Sequence, residues 1–284
     1  MEKVLYNGEI VNRSDCSVQL EDRGYQFGDG IYEVIRVYQG KFFTLEEHLD
    51  RLFLSAKKLS MDSSLDYTTL LSLLKKLVDV NGVVNGTVYL QWTRGVAKRH
   101  HQFPVPSAKG TIIAYTNSLE RPISNIQNGV SAKLVEDIRW LRCDIKSLNL
   151  LGNVLAKEEA IKADCFEAIL HRGEIVTEGS SSNVYMVKEG KLYTHPVSNL
   201  ILEGITRKVV KRICGEENVS LIERQFTVED LKSADEVFIT STTAEVMPII
   251  NIDNEPVGGG KPGKLTVLLQ NRFQDQINQL GALH

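Results

Sequence analysis

The sequence predicts a mixed α/β (α+β) chain of two lobes, and three observations carry that prediction. Alternating strand-like runs and runs with apolar residues at helical spacing intermix along the whole length. The 284 residues are 42% hydrophobic and 24% charged, the make-up of a globular protein able to bury a core. A polar stretch at residues 117–128, containing Arg121-Pro122, interrupts the pattern and divides it into domains at 1–120 and 121–284.

Asn7-Gly8, set between Val4–Tyr6 and Glu9–Val11, signals a two-residue hairpin, since both turn positions need positive φ. Residues 21–30 follow as a polar loop with three glycines. Ile31–Tyr38 alternates as a strand, with Tyr32, Val34, Arg36 and Tyr38 on one face and Ile31, Glu33, Ile35 and Val37 on the other. Gln39-Gly40 turns the chain into Lys41-Phe42-Phe43. Thr44-Leu45-Glu46-Glu47 has the form of a capping box. Behind it Leu45, Leu49, Leu52, Phe53, Ala56 and Leu59 recur at helical spacing, with Arg51 at the edge of the stripe. A second helix, Tyr67–Val80, stops before Asn81-Gly82 as a C-cap would require. Strands Thr87–Thr93 and Thr111–Thr116 flank the basic loop 94–104.

The second half opens with a strand, Val130–Ile138, and a helix from about Leu148 to Lys162, with Lys146 at the junction. Strands Phe166–His171, Glu174–Thr177, Asn183–Val187 and Lys191–Thr194 are joined by Arg172-Gly173 and Glu189-Gly190 turns. Gly204-Ile205-Thr206 starts a helix with Val209, Val210 and Ile213 inward. A capping sequence at Thr227–Asp230 begins a short helix. Glu236–Ile239 reads as a strand ending in Thr240-Ser241-Thr242-Thr243, and a last helix spans Lys264–Leu280.

A formal net charge of -3 argues against a nucleic-acid binder, and no apolar run approaches the ~20 residues of a membrane helix. Residues 1–8 lack the apolar region of a signal peptide, which points to the cytoplasm. Four scattered cysteines, with no CxxC and no paired histidines at ligand spacing, argue for free thiols and against a zinc site.

Lys146, flanked by Ile145 and Leu148, has its ammonium form disfavoured wherever burial strips its water, and a free amine there can attack a carbonyl. An ordinary solvated lysine is the alternative. Gly204-Ile205-Thr206 at a helix start and Thr240–Thr243 after a strand both suit a phosphate, although each also reads as a plain cap or turn. Glu178, in a Thr-Glu-Gly-Ser turn, is either a solvated carboxylate or the partner of a ring nitrogen. Arg99 and His101 suit a carboxylate trap or a merely basic loop; His100 faces the other way in an extended loop.

Taken together, these segments resemble one family. Residues 21–34 look like the N-terminal signature of fold-type IV pyridoxal-phosphate aminotransferases. Asp137–Asn149 and Thr177–Asn183 resemble that family's lysine and glutamate motifs, and residues 202–207 and 240–243 its phosphate-contact segments. The motifs keep the family's order across essentially the whole chain. Within the family, Tyr32 and the loop Arg99–Pro104 are most similar to the bacterial D-amino-acid aminotransferases.

The resemblance implies a small N-terminal α/β domain, a larger barrel-like C-terminal domain and pyridoxal 5'-phosphate as cofactor. It implies that Lys146 forms the Schiff base and shuttles the proton, that Glu178 keeps the pyridine nitrogen protonated, and that Arg51, Ile205, Thr206, Ser241 and Thr242 hold the phosphate. It also implies that Tyr32, Arg99 and His101 bind the substrate carboxylate, the loop 99–101 reaching across a homodimer. The implied reaction is ping-pong transfer from D-alanine to 2-oxoglutarate, giving pyruvate and D-glutamate and supplying D-amino acids for a bacterial cell wall. The rivals are an L-branched-chain aminotransferase, an aminodeoxychorismate lyase and an idle cofactor-binding protein.

Overall fold

The structure is a computed structural model that describes residues 2–62 and 65–282. It divides into two compact units, the first running to Glu120 and taking in Ile145–Asn149, the second made of Arg121–Asp144 and the chain from Leu150. Ile145–Asn149, which the sequence division assigns to the second domain, thus groups with the first.

The first unit is an antiparallel sheet with two helices against one face. Its elements are β1 (Lys3–Tyr6), β2 (Glu9–Asn12), α1 (Arg23–Phe27), β3 (Gly30–Tyr38), β4 (Lys41–Phe42), α2 (Leu45–Lys58), α3 (Tyr67–Asn81), β5 (Gly86–Thr93) and β6 (Thr111–Ser118). The strand order is β2-β1-β6-β5-β3-β4. Asn7 and Gly8 both adopt positive φ and bring Tyr6 opposite Glu9, the hairpin that their pairing predicts. Ile31, Ile35 and Val37 face inward and pack with Leu49 and Leu52 of α2 and Leu70 and Leu74 of α3. Glu33 shares that inward face and is fully buried with them. Burying apolar surface at roughly 25 cal/mol per Å² is what holds the helices to the sheet.

Two local expectations fail here. Thr44 does not cap α2: it adopts a left-handed φ of 57° and donates its hydroxyl to the Phe43 carbonyl, so no capping box forms. Residues 23–27, expected as loop, form a short helix, because the Asp22 side chain caps the Gly24 amide and Gly28 closes the turn in the left-handed region. α3 ends as expected, with Gly82 in that same conformation.

The second unit contains α4 (Ile123–Asn128), β7 (Val130–Glu136), α5 (Leu151–Lys162), β8 (Glu167–Arg172), β9 (Ile175–Gly179), β10 (Asn183–Lys188), β11 (Lys191–Thr194), α6 (Ile205–Glu216), β12 (Leu221–Glu223), α7 (Val228–Lys232), β13 (Glu236–Ser241), β14 (Glu245–Ile252), β15 (Glu255–Pro256) and α8 (Lys264–Ala282). Its sheet runs β12-β11-β10-β13-β14-β7-β8-β9, with β15 on β14. The pairs β7–β8, β7–β14 and β11–β12 are parallel and the rest antiparallel, the mixed sheet of an α+β domain. The core lies on one face around Ile169, Val184, Phe226, Ile239 and Met247. α5 lays Ala156 and Ala160 on Val135, Ala168 and Leu170.

At Thr227 the capping box is real: its hydroxyl accepts the Asp230 amide and Asp230 accepts the Thr227 amide. α5 begins at Leu151 rather than Leu148. β14, with no counterpart in the sequence reading, is a nearly continuous apolar run buried at the sheet centre, so it shows no alternation to find.

Candidate active site

In the first unit the site grows from one strand pairing. The Tyr32 amide donates to the Lys146 carbonyl at 3.0 Å, the Leu148 amide donates to the Gly30 carbonyl at 3.0 Å, and Ile31 bridges Ser147. Lys146 is therefore held by extended backbone against β3, with Ile145 buried in the core beside it. Its Nζ sits 4.4 Å from the centre of the Tyr32 ring, so the two predicted residues meet.

On the opposite side of β3, Glu33 accepts Arg51 Nε and Nη2 at 2.7 Å each and the His48 ring Nδ1 at 2.7 Å. Burial alone would raise its carboxyl, but Arg51 and then His48 outweigh that and hold it down at about 2. Burial drives His48 below its ordinary value against the pull of Glu33, with the charges of Arg51 and Lys146 pushing the same way as burial. Arg51, predicted to hold phosphate, thus engages a carboxylate with two of its donors.

The basic loop is built on α1. Buried Arg23 donates to the His100 carbonyl at 2.7 Å and pairs with Asp29, which also receives Arg94. Arg99 lies 4.7 Å over the Phe27 ring and His101 packs edge-on to it at 5.9 Å. The structure brings Arg99 and His101 together on Phe27, as it brings Lys146 and Tyr32 together on β3.

In the second unit Glu178 lies near the end of β9 and is buried. Its Oε1 accepts Arg139 Nη1 at 2.5 Å; its Oε2 accepts Asn183 Nδ2 at 3.1 Å and the Leu202 amide at 3.0 Å. Arg139 is shared, with Nε and Nη2 both on Asp137 at 2.8 Å. Asp137 also takes Arg172 and the Thr177 hydroxyl. Burial pushes the Glu178 carboxyl up to about 7; Arg139 opposes this only in part, and the Asp137 charge adds to the rise. The turn after Glu178 is pinned from below, where buried Glu167 accepts the hydroxyls of Ser180 and Ser182 and the amide of Ala168.

Asn183 gathers the remaining motifs. Its Nδ2 also donates to the Leu202 carbonyl at 2.8 Å, its Oδ1 accepts the Gly204 amide at 3.2 Å, and its ladder partner is Thr240. Gly204 stands at the N-terminus of α6, where no side chain caps the helix. A Cβ at Gly204 would collide with Asn183 Oδ1, so only glycine allows this approach. Ile205 and Thr206 open α6, Ser241 ends β13, and Thr242 follows in the turn to β14.

Glu33, His48, Asp137, Arg139 and Asn183 carry this geometry without a role assigned from sequence. Glu33 left one signal, a charge on an otherwise apolar strand face, which demands a buried partner.

The family model described as amino-transferase class IV matches residues 30–252. The chain is 55% identical over 277 residues to a D-alanine aminotransferase of Staphylococcus aureus, covering 98% of both chains. It is 56% identical over the same length to a D-alanine aminotransferase of Staphylococcus epidermidis, again covering 98% of both. A solved branched-chain amino acid aminotransferase from Thermobaculum terrenum, in its PLP-form, superposes with a TM-score of 0.87 at 25% identity, over 97% of this chain and 94% of that one. With the family's pattern matched through both units and relatives more than half identical almost end to end, the chain belongs to the class IV aminotransferases.

Proposed function

We propose that the chain moves the amino group of D-alanine to 2-oxoglutarate, releasing pyruvate and D-glutamate, with pyridoxal 5'-phosphate as cofactor. The observation that carries the substrate is the 55–56% identity, almost end to end, to two D-alanine aminotransferases. The residues fit the cofactor. An uncapped helix start next to a glycine that admits no side chain offers amides to a phosphate, and Ser241 and Thr242 add hydroxyls. A buried carboxylate with a pKa of about 7 is poised to share a proton with a ring nitrogen.

When bound, the cofactor supplies an electron sink for the bond broken at the substrate Cα. Lys146 would hold it through its amine, and the same amine would carry the proton to and from the substrate Cα. Glu178, with Oε2 saturated by two N–H donors, has Oε1 beside Arg139 to offer the ring nitrogen and keeps the proton there. Ile205, Thr206, Ser241 and Thr242 bind the phosphate, joined by Arg51. Tyr32 orients the substrate carboxylate, while Arg99 and His101, fixed on Phe27, serve the neighbouring subunit of a homodimer. A carboxylate held by Tyr32, Arg99 and His101 would present one face of Cα to the Lys146 amine, which would select the D-isomer. The duty that follows is D-amino-acid supply for a bacterial cell wall, in the cytoplasm.

The test is an absorbance spectrum of the purified protein before and after D-alanine, with L-alanine as control and pyruvate assayed in the presence of 2-oxoglutarate. The expected result is a visible band that moves to shorter wavelength, with pyruvate formed, for the D-isomer only. A response to L-amino acids alone keeps the family and overturns the substrate, favouring the branched-chain reading that the likeness to the Thermobaculum terrenum enzyme supports. Arg99→Ala is expected to raise the D-alanine KM roughly 10- to 100-fold, the worth of a charge-assisted hydrogen bond; unchanged kinetics would remove the loop from the carboxylate site.

A further inference from the structure

The turn between β13 and β14 carries Ser241 and Thr242, and its far side is fastened in a way the phosphate role does not require. Glu245 begins β14 opposite Ser241 with a left-handed φ of 58°. A residue with a Cβ is disfavoured there, and glutamate lacks the short side chain that lets asparagine or aspartate visit the region. Its side chain is almost wholly buried, and its two oxygens accept Arg121 Nε at 2.7 Å and Nη2 at 2.5 Å, a bidentate pair. Arg121 also donates to Gln274 of α8, and Gln270 of that helix donates to the Val246 carbonyl at 3.1 Å. Inside the turn the Ala244 amide donates to Ser241 Oγ at 3.1 Å.

We infer that the Glu245–Arg121 pair is a latch that holds the β13–β14 turn in the one conformation presenting Ser241 and Thr242 to the cofactor phosphate, which makes both members positioning residues. A buried carboxylate can lie in the left-handed region only while its charge is matched, and the arginine fork matches it from a fixed direction, between turn and α8. Without the fork the carboxylate would seek water, Glu245 would leave the left-handed region, and the Ser241–Glu245 pairing that closes the turn would open. The polar stretch read from sequence as a domain boundary therefore contains a residue that acts on the cofactor site through another. This inference rests on the assignment of Ser241 and Thr242 to the phosphate.

The full-length protein, freed of cofactor, is titrated with pyridoxal 5'-phosphate and with pyridoxal, which lacks the phosphate, following the absorbance of the bound group. Glu245→Gln places an NH2 against an arginine donor and is expected to raise the Kd for pyridoxal 5'-phosphate about tenfold or more, while the Kd for pyridoxal stays within about twofold. Arg121→Lys keeps the charge but loses the fork and is expected to shift the same ratio in the same direction by less. It carries the test alone if Glu245→Gln does not give a native far-ultraviolet spectrum. A Ser241→Ala, Thr242→Val variant separates the two levels. If it moves the ratio and neither latch variant does, the latch is wrong and the phosphate assignment stands. If it leaves the ratio unmoved, the phosphate assignment falls and the latch with it. Equal weakening toward both ligands in the latch variants reduces the pair to a structural fastening and overturns the proposal.

Discussion

Glu33 and Glu178 are both buried glutamates on strands, both paired with an arginine, yet burial and pairing leave one near 2 and the other near 7. The difference lies in how the cation is spent. Arg51 turns a two-donor fork on Glu33, and His48 adds a third bond to the same carboxylate. Arg139 gives its fork to Asp137 and only one remaining donor to Glu178, so the charge that would ionise Glu178 is already half neutralised. Glu33 is thereby a fixed anion. Glu178 is left short of positive charge, and a protonated ring nitrogen is the partner that would complete it. One residue type in one degree of burial is held low or pushed high according to the electrostatic share its arginine has left.

The comparison can be broken from either side. Glu33→Gln leaves Arg51 buried without its counter-charge and is expected to cost about 3–5 kcal/mol of stability, read from urea unfolding of the full chain; a loss under about 1 kcal/mol would show that Glu33 is not the structural anion. Glu178→Gln should fold normally and lower kcat about 10²- to 10³-fold, since a neutral amide cannot hold the ring nitrogen protonated. Near-normal turnover there would dismiss Glu178 as the ring partner.

Opposite pH slopes sharpen the contrast. The Glu33 carboxyl sits below its ordinary 4.5, so its stabilisation is complete above about 4.5 and is lost as pH falls toward 2. Glu178 sits above 4.5, so the native cofactor-free chain holds that proton more tightly than the unfolded chain; stability is highest below about 4.5 and declines as pH rises through about 7. Each displacement is worth about 3 kcal/mol at 1.36 kcal/mol per unit. Stability curves of the cofactor-free protein should therefore lose their acid limb in Glu33→Gln and their decline between about pH 4.5 and 7 in Glu178→Gln. Identical curves in both variants would mean the two carboxyls are not distinguished. The smallest effect is expected at His48, where His48→Asn keeps a donor toward Glu33 and should cost about 1 kcal/mol, measured by thermal unfolding.

Elements set by neighbours in sequence were legible in advance. Asn7-Gly8 makes its hairpin, α3 stops at Gly82, and Thr227 caps α7, because each is decided within four or five residues. Thr44 shows the limit: it has the same capping pattern, yet its backbone is left-handed and its hydroxyl is taken by Phe43, an outcome set by how the chain turns from β4 into α2. β14 escaped notice because a strand buried on both faces carries no period of two. The family was legible because its motif residues keep their order along the chain, a property that needs no fold to read.

Sequence by itself thus determined most of the elements, the inward faces of α2 and β3, and the family, and it singled out Lys146 and Glu178 as candidates for chemistry. It also placed Glu33 on the same strand face as Ile31, Ile35 and Val37, where an unmatched buried charge is not tolerated. Only the tertiary structure decided which partner: His48 and Arg51 for Glu33, Arg139 for Glu178, Arg121 for Glu245, the last two separated from their arginines by 39 and 124 positions. Local order follows from torsional preference and hydrogen bonds a few residues long. The pKa of a buried carboxyl follows from distances to charges that topology alone brings near, and those distances separate a carboxyl held down at about 2 from one pushed up to about 7.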